Sequence, residues 1–174
     1  CNDDGSFVAQ GRITGGNIAA EASVANFPLQ PLLAVGGQEG DGKLTGSFVV
    51  SGSTVSPQVR GTARLADAEI MKQKITDAHG VFLWQNQRLQ IDGLTVKMPA
   101  GEHLINGWID LGSEDPLLDL RVSTKGIRVE PLVAAMAPDV ALTGNLDNEV
   151  TVKGRISNPE VTGKMNFYEG SLNK

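Results

Sequence analysis

The sequence predicts an all-β fold, and three observations lead there. Apolar and polar residues alternate along most of the chain, the period-two signature of strands with one buried face. The 174 residues include 21 glycines and only 5% aromatics, a composition of short strands and tight turns more than of packed helices. A segment near the start also returns about a hundred residues later, as in arrays whose units each leave an apolar face for the next to continue. About ten or eleven short strands, with turns every eight to twelve residues or so, account for the pattern.

Taken in chain order, Ile18, Ala20, Ala22 and Val24 face one way, and Asn17, Glu21 and Ser23 the other. Leu29 to Val35 carries Pro31-Leu32-Leu33-Ala34; proline suits a first helical turn, so a helix of one or two turns is expected. Gly36-Gly37 and Gly40-Asp41-Gly42 then read as a flexible loop. Phe48 and Val50 lie on the apolar side of the next strand, and Val59, Ala63 and Leu65 on that of the following one, opposite Arg60, Thr62 and Arg64. Leu89-Gln90-Ile91 and Leu94-Thr95-Val96-Lys97-Met98 both alternate, but the phase reverses at Asp92-Gly93, which predicts a bulge or tight turn.

Ile105 and Ile109 continue the apolar side, and Leu118, Leu120 and Val122 oppose Asp119, Arg121 and Ser123. Val129 to Met136 repeats the short helical pattern, with Pro138 as its stop. Val150, Val152, Val161, Met165 and Phe167 complete the apolar set, opposite Thr162, Lys164 and Asn166.

The repeat spans 29–70 and 129–172. Phe48–Gly52 matches Val150–Gly154 and Pro57–Gly61 matches Pro159–Gly163, both 102 residues on. Pro31–Ala34 matches Pro131–Ala134 at 100, and Leu44-Thr45-Gly46 aligns with Leu142-Thr143-Gly144 at 98. No linker rich in proline or serine divides residues 1–174, so they read as one unit. The chain starts at Cys1 without methionine, and the repeat stops shortly after its second block. The expectation is an excised piece of a longer array, with lipidation of Cys1 the other option.

Composition excludes several function classes. A formal charge of −5 and a pI near 5.0 are wrong for a nucleic-acid surface, which needs clustered Lys and Arg. No run reaches the 18 or so apolar residues of a membrane-spanning helix. Gly37-Gln38-Glu39-Gly40-Asp41-Gly42-Lys43 approaches a phosphate-binding loop, but Leu44 stands where Ser or Thr would hold magnesium. A solvated hairpin loop is the reading preferred. His79 and His103 sit on separate strands with no partner at ligand spacing, so no metal is expected and both read as exposed strand histidines.

There is no Gly-x-Ser-x-Gly elbow, and Cys1 is a poor nucleophile at a free terminus. Asn2-Asp3-Asp4-Gly5 lacks the later Glu of a calcium loop. Asp67, Glu69, Asp110 and Asp115 occupy scattered turn-like places without acid/base pairing. Neither a catalytic centre nor a cofactor is expected. Trp84, Trp108 and Tyr168, on different strands, read as partly buried.

Leu142-Thr143-Gly144, then Val150-Thr151-Val152-Lys153-Gly154, then Asn158-Pro159-Glu160-Val161-Thr162-Gly163-Lys164 resembles the repeat of the TamB/AsmA-like superfamily, in its DUF490-type region. The first copy departs from that pattern with Ser56-Pro57 in place of Asn-Pro. Ile105-Asn106-Gly107-Trp108-Ile109-Asp110-Leu111 is similar to the strands between such motifs, and the resemblance runs from about Ile18 onward.

It implies an elongated curved sheet forming an open apolar trough, the β-taco. It also implies a periplasmic location in a diderm bacterium, with the full-length protein anchored in the inner membrane. The implied cargo is phospholipid, held by its acyl chains, and the implied partner of the full-length protein is an Omp85-family, TamA-like outer-membrane protein. The groove would then be lined by the alternating residues named above: Ile18, Val24, Phe48, Val50, Val59, Leu65, Leu89, Ile91, Leu94, Val96, Ile105, Ile109, Leu118, Leu120, Val122, Val150, Val152, Val161, Met165 and Phe167. Small residues at Gly61, Ala63, Gly107 and Gly163 would leave width for the ligand.

Three alternatives stay open. A closed β-sandwich would bury the same residues in its core. A scaffold or chaperone for outer-membrane protein assembly would offer open sheet edges to client strands, and such edges also permit edge-to-edge self-association. A carbohydrate-binding sandwich would use Trp84 or Trp108.

Overall fold

The computed structural model describes residues 5–30, 40–70, 73–99, 101–130 and 141–173. Ten strands follow one another: β1 (Ser6–Thr14), β2 (Asn17–Pro28), β3 (Gly40–Ser53), β4 (Ser56–Ile70), β5 (Gln73–Gln85), β6 (Arg88–Met98), β7 (Gly101–Asp110), β8 (Leu117–Arg128), β9 (Ala141–Arg155) and β10 (Asn158–Asn173). They form one antiparallel sheet whose spatial order is the chain order. Such a meander needs only short connections; six of the nine are two residues long, β7–β8 is six, and only those after β2 and β8, over 29–39 and 129–140, are longer. Gly15 and Gly16, with φ of 56° and 78°, join β1 to β2, while Asn86 and Gln87, at 49° and 61°, join β5 to β6. Both pairs have the two left-handed residues of a type I′ turn, whose twist matches that of the flanking strands.

β1 and β10 do not pair with each other, so the sheet is open and not a barrel. Ten strands at about 4.8 Å spacing span about 43 Å from edge to edge. Among the described residues, every substantial strand-to-strand contact joins sequence neighbours. No second layer of described residues packs on either face, which rules out the closed sandwich for these ten strands. The two short helices expected over Leu29–Val35 and Val129–Met136 lie almost entirely outside the described residues, as do the Gly36-Gly37 loop and Asn2–Asp4.

One expectation is corrected here. Gly40, Asp41 and Gly42 open strand β3 and pair with β4 (Gly40 with Ile70, Asp41 with Glu69). The glycines suggested a loop because their conformational freedom usually marks one. In the fold, Gly42 at φ 141° sits at an irregularity in the β3–β4 ladder, and a Cβ there would lie 2.6 Å from that of Ala68.

Irregularities of this kind recur and bend the sheet. The register shifts in β2 after Val24, in β6 between Ile91 and Leu94, in β8 after Thr124, and in β10 between Tyr168 and Ser171. Left-handed residues mark these places: Asn26 at 50°, Gly93 at 65°, Gly126 at 66° and Glu169 at 53°. The phase reversal at Asp92-Gly93 is thus a β-bulge, as the alternation required. Bulges increase local twist and kink the strand. In the pairing register they form an oblique band across the sheet, Gly93 facing Asn106 and so Arg121, five residues from Gly126; the kinks along this band make a crease.

Burial follows the crease. Among the described residues, the buried ones are Leu29, Ala68, Ala78, Gly80, Ile91, Thr124, Val129 and Gly144, and each lies within a few positions of a register shift. No large side chain is fully buried among the described residues. The sheet is therefore a trough, deepest at the crease and open along its mouth.

The two halves share these irregularities. Gly42 and Gly144 have φ of 141° and 150°, Gly52 and Gly154 have 97° and 101°, and Asp67 and Glu169 have 47° and 53°. The Leu29 amide donates to Gly42 O, and the Val129 amide to Gly144 O. Thr54 N–H donates to Gly16 O, and Ile156 N–H to Pro116 O. Structural equivalence therefore pairs Gly144 with Gly42, at the same spacing of 102 as the rest of the block. The alignment of Leu44-Thr45-Gly46 with Leu142-Thr143-Gly144 is a chance match of short strings.

Candidate functional site

Directly paired residues of antiparallel strands project to the same face, so the register assigns every side chain to a side. One lane crosses all ten strands through consecutive pairs: Ala9, Ala22, Phe48, Gly61, Phe82, Ile91, Gly107, Leu120, Val152 and Val161. Every member is apolar or glycine. The next lane toward the hairpin turns runs Gly11, Ala20, Val50, Val59, Trp84, Leu89, Ile109, Leu118, Gly154 and Pro159.

All twenty residues named from the alternation fall on this one side. Seventeen are half-buried or buried, Ile91 being 7% exposed. Val161, Met165 and Phe167, on the edge strand β10, are 61%, 73% and 49% exposed. Half-burial without a covering layer is what a concave wall produces, because neighbours shade each side chain from the flanks.

The sequence shows no clear alternation over its first sixteen residues, where β1 lies. Phe7 pairs with Val24 and Ile13 with Ile18, so both belong to the apolar side. Phe7-Val8-Ala9 is apolar on both sides of the strand and Gly11 interrupts the pattern, which hides the period. Phe82, Trp84 and Leu146 were missed as well. Phe82 and Trp84 sit in the run Val81-Phe82-Leu83-Trp84, again apolar on both faces, and only pairing to Gly61 and Val59 settles their side.

Several expectations about individual residues change. Gly61 does not leave open width: the Phe48 ring already occupies the space a Cβ would take there, and it also covers Gly46. Phe167 covers Gly144 and Gly170 in the same way. Trp84 and Trp108 are half-buried as expected, but on opposite faces of the sheet, so they cannot form one stacking platform. Trp108 lies under the Arg88 guanidinium, 4.3 Å from ring centroid to Cζ. Tyr168 is exposed, on the polar face, where its hydroxyl donates to Asp147 Oδ1 at 3.1 Å.

His79 is exposed on the polar face beside Asp77. His103 is instead half-buried on the apolar side, its Nδ1 2.8 Å from Thr124 Oγ1. Asp67 and Glu69 belong to β4 and Asp110 ends β7, while Asp115 lies in the β7–β8 loop. Asp115 receives Ser157 N–H and Oγ–H, which ties that loop to the β9–β10 turn.

The opposite face is a field of ion pairs. Arg88 meets Asp110 at 3.1 Å, Lys97 meets Glu102 at 3.6 Å, Arg121 meets Glu149 at 3.3 Å and Lys153 meets Asp119 at 3.1 Å. Exposed pairs like these add little stability; they keep that side wetted. Arg64 Nε donates to Asp77 Oδ1 at 2.6 Å. That bond, helped by His79 and opposed by desolvation, holds the Asp77 carboxyl below its ordinary range. Asp110 is also lowered, by the Gly112 amide and Arg88. A cleft of about 880 Å³ opens near the crease beside Asn26, Asp41, Lys43, Thr45, Arg64 and Asp67. Its charged rim makes it unlike the apolar lanes of the trough.

No group of three or more metal-ligating side chains exists among the described residues. None of their helices is long and apolar enough to cross a membrane. Comparison with known proteins finds no matching family model, curated protein or solved structure. The site is therefore read from its own geometry: an apolar trough with a charged back.

Proposed function

We propose that the protein is a periplasmic segment of an inner-to-outer-membrane bridge that carries phospholipid along this trough and supports outer-membrane biogenesis. The observation that carries the proposal is the ten-strand apolar lane, continuous from Ala9 to Val161 and uncovered by any described residue. Contiguous apolar surface of this extent on a water-soluble face marks a binding surface. Acyl chains lying in it leave water at about 0.8 kcal/mol per buried methylene. Aliphatic residues repeated from strand to strand offer similar sites in series and no deep trap, as transport requires. In this reading the protein is a conduit and not an enzyme, and it needs no cofactor.

The resemblance of its motifs to the TamB/AsmA-like superfamily supports the cellular setting. The full-length protein would be anchored in the inner membrane and meet a TamA-like, Omp85-family partner at the outer one. Photocrosslinkers at Val152 or Phe167 are expected to capture phospholipid in cells, and ones at Lys153 or Lys164 on the polar face to capture none. Equal labelling of both faces would refute the conduit.

A second reading has its own observation. β1 and β10 each leave one side unpaired among the described residues, and such edges accept added strands. A scaffold for outer-membrane proteins would use them, and two copies could join there as well. Crosslinks from β10 to a client strand, with the trough free of lipid, would favour it.

A further inference from the structure

One lane beside the crease is not uniformly apolar. Leu44, Leu65, Ala78 and Val96 lead through consecutive pairs to His103, Thr124 and Asn148. Three polar side chains therefore stand side by side on β7, β8 and β9, about 10 Å from first to last at normal strand spacing. Thr124 is 2% exposed and 2.8 Å from His103 Nδ1. Asn148 Oδ1 is buried and has no hydrogen-bond partner.

A buried acceptor left unpaired is costly, and its persistence in a folded protein calls for an explanation. The repeat sharpens the point. Thr124 corresponds to Val24 and Asn148 to Gly46, while Phe7 occupies the place of His103 beside Val24. The same three places in the first half are apolar or empty. The polar row is a local substitution within an apolar scheme and is not needed to build the trough.

We propose that His103, Thr124 and Asn148 form a station for the hydroxyl of a glycerol-bearing lipid: the half-buried Asn148 side chain turns its shielded Oδ1 toward the trough and accepts from that hydroxyl, while the lipid's chains lie along the apolar lanes. The inference rests on the lipid reading above and adds a place where the cargo pauses and a chemistry it must carry. A hydroxyl fits because the free group is an acceptor that wants a donor, and because the row contains no carboxylate to favour a cation. The hydroxyl is either that of a free glycerol position, as in diacylglycerol, or that of a glycerol headgroup.

Native mass spectrometry and equilibrium binding on the purified chain test this with two matched pairs. Diacylglycerol is set against its acetyl ester, and phosphatidylglycerol against phosphatidylcholine, which has no headgroup donor. The wild type should bind the hydroxyl-bearing member of at least one pair about fivefold more tightly, the worth of one neutral hydrogen bond. Asn148→Leu should reduce that ratio to about one. Thr124→Val, nearly isosteric, should lower it by releasing His103, and it serves if Asn148→Leu does not fold.

A preference confined to the first pair identifies a free glycerol hydroxyl, and one confined to the second a headgroup. Equal binding within both pairs would overturn the station and leave the lipid conduit standing. A preference that survived both variants would also overturn it. Failure to bind any of the four lipids would remove the conduit and the station together.

Discussion

The amide of Gly126 donates to Asp147 Oδ1 at 2.8 Å, from a bulge in β8 to the neighbouring strand β9. Two other bulges are tied in the same manner: Gly93 N–H donates to Asn106 Oδ1 at 2.8 Å, and Asn26 N–H to Thr45 Oγ1 at 3.2 Å. In each, the left-handed residue lifts its amide out of the ladder, and a side-chain oxygen across the strand accepts it. Without that oxygen the amide would lose its protein partner, and at half-buried Gly93 it would be poorly placed for water. Since the crease makes the trough, these three ties hold its shape.

Asp147→Ala is therefore expected to lower stability by about 1 kcal/mol, measured by urea denaturation, and to loosen amide protection at Gly126 in hydrogen exchange. Asp147→Asn, which retains an acceptor, should cost less. Equal losses for both variants would show that the tie contributes nothing.

The glycine at 126 corresponds to asparagine at 26, and Asp67 to Glu169, so residue identity alone does not announce these bulges. Gly93 was legible because apolar residues flank it on both sides, and their phase jumps there. No such jump is visible around Asp67, where Ala66 and Ala68 blur the two faces. Side assignment was legible wherever strong aliphatic residues alternated, as in Leu118 to Val122. Curvature was not, because it depends on where bulges in different strands fall relative to one another, which only the pairing register reveals. Nor could the repeat show that Phe48 fills the gap at Gly61, since the second copy places Val150 opposite Gly163.

That difference between the copies leads to a comparison. A Cβ on Gly61 would collide with the backbone oxygen of Ser47 and lie 2.5 Å from the Phe48 ring and 3.0 Å from Phe48 Cα, whereas one on Gly163 would lie 3.0 Å from Glu149 O and 3.3 Å from Val150 Cγ2. Gly61→Ala is expected to cost about 2 kcal/mol through overpacking and Gly163→Ala, on the edge strand, less than about 1 kcal/mol. Thermal and chemical denaturation of the two variants measures both. Phe48→Val combined with Gly61→Ala should recover part of the loss, because it recreates the relation of the second copy.

Asp77 connects stability to pH. Its pKa is held below the ordinary carboxylate value, first by the hydrogen bond from Arg64. A carboxyl depressed in the folded state favours folding once both states are ionised, and that contribution fades as pH falls through the folded pKa. The stability gap between wild type and Asp77→Asn should thus be full above about pH 5 and close progressively on further acidification. Denaturation curves at pH 7, 5, 4 and 3 (all on the order of one unit apart or two) would show it. A gap unchanged across that range would mean that Arg64 gives the carboxylate no preference in the folded protein.

Val152 offers the sharpest separation between a conduit and a sealed core. It is the next-to-last member of the all-apolar lane, between Leu120 and Val161, yet no described second layer covers it. In a closed sandwich, Val152→Asp would bury a charge without a partner and cost several kcal/mol. In an open trough the carboxylate can turn to the mouth and stay hydrated, so the cost should be about 1 kcal/mol. Acyl chains, however, would meet a charge on every passage through β9. The expected outcome is a folded protein with near-normal denaturation that retains little lipid in native mass spectrometry. Thr151→Asp, one residue away on the polar face, should leave lipid retention intact. Loss of lipid in both variants, or in neither, would contradict the assignment of lipid to one face.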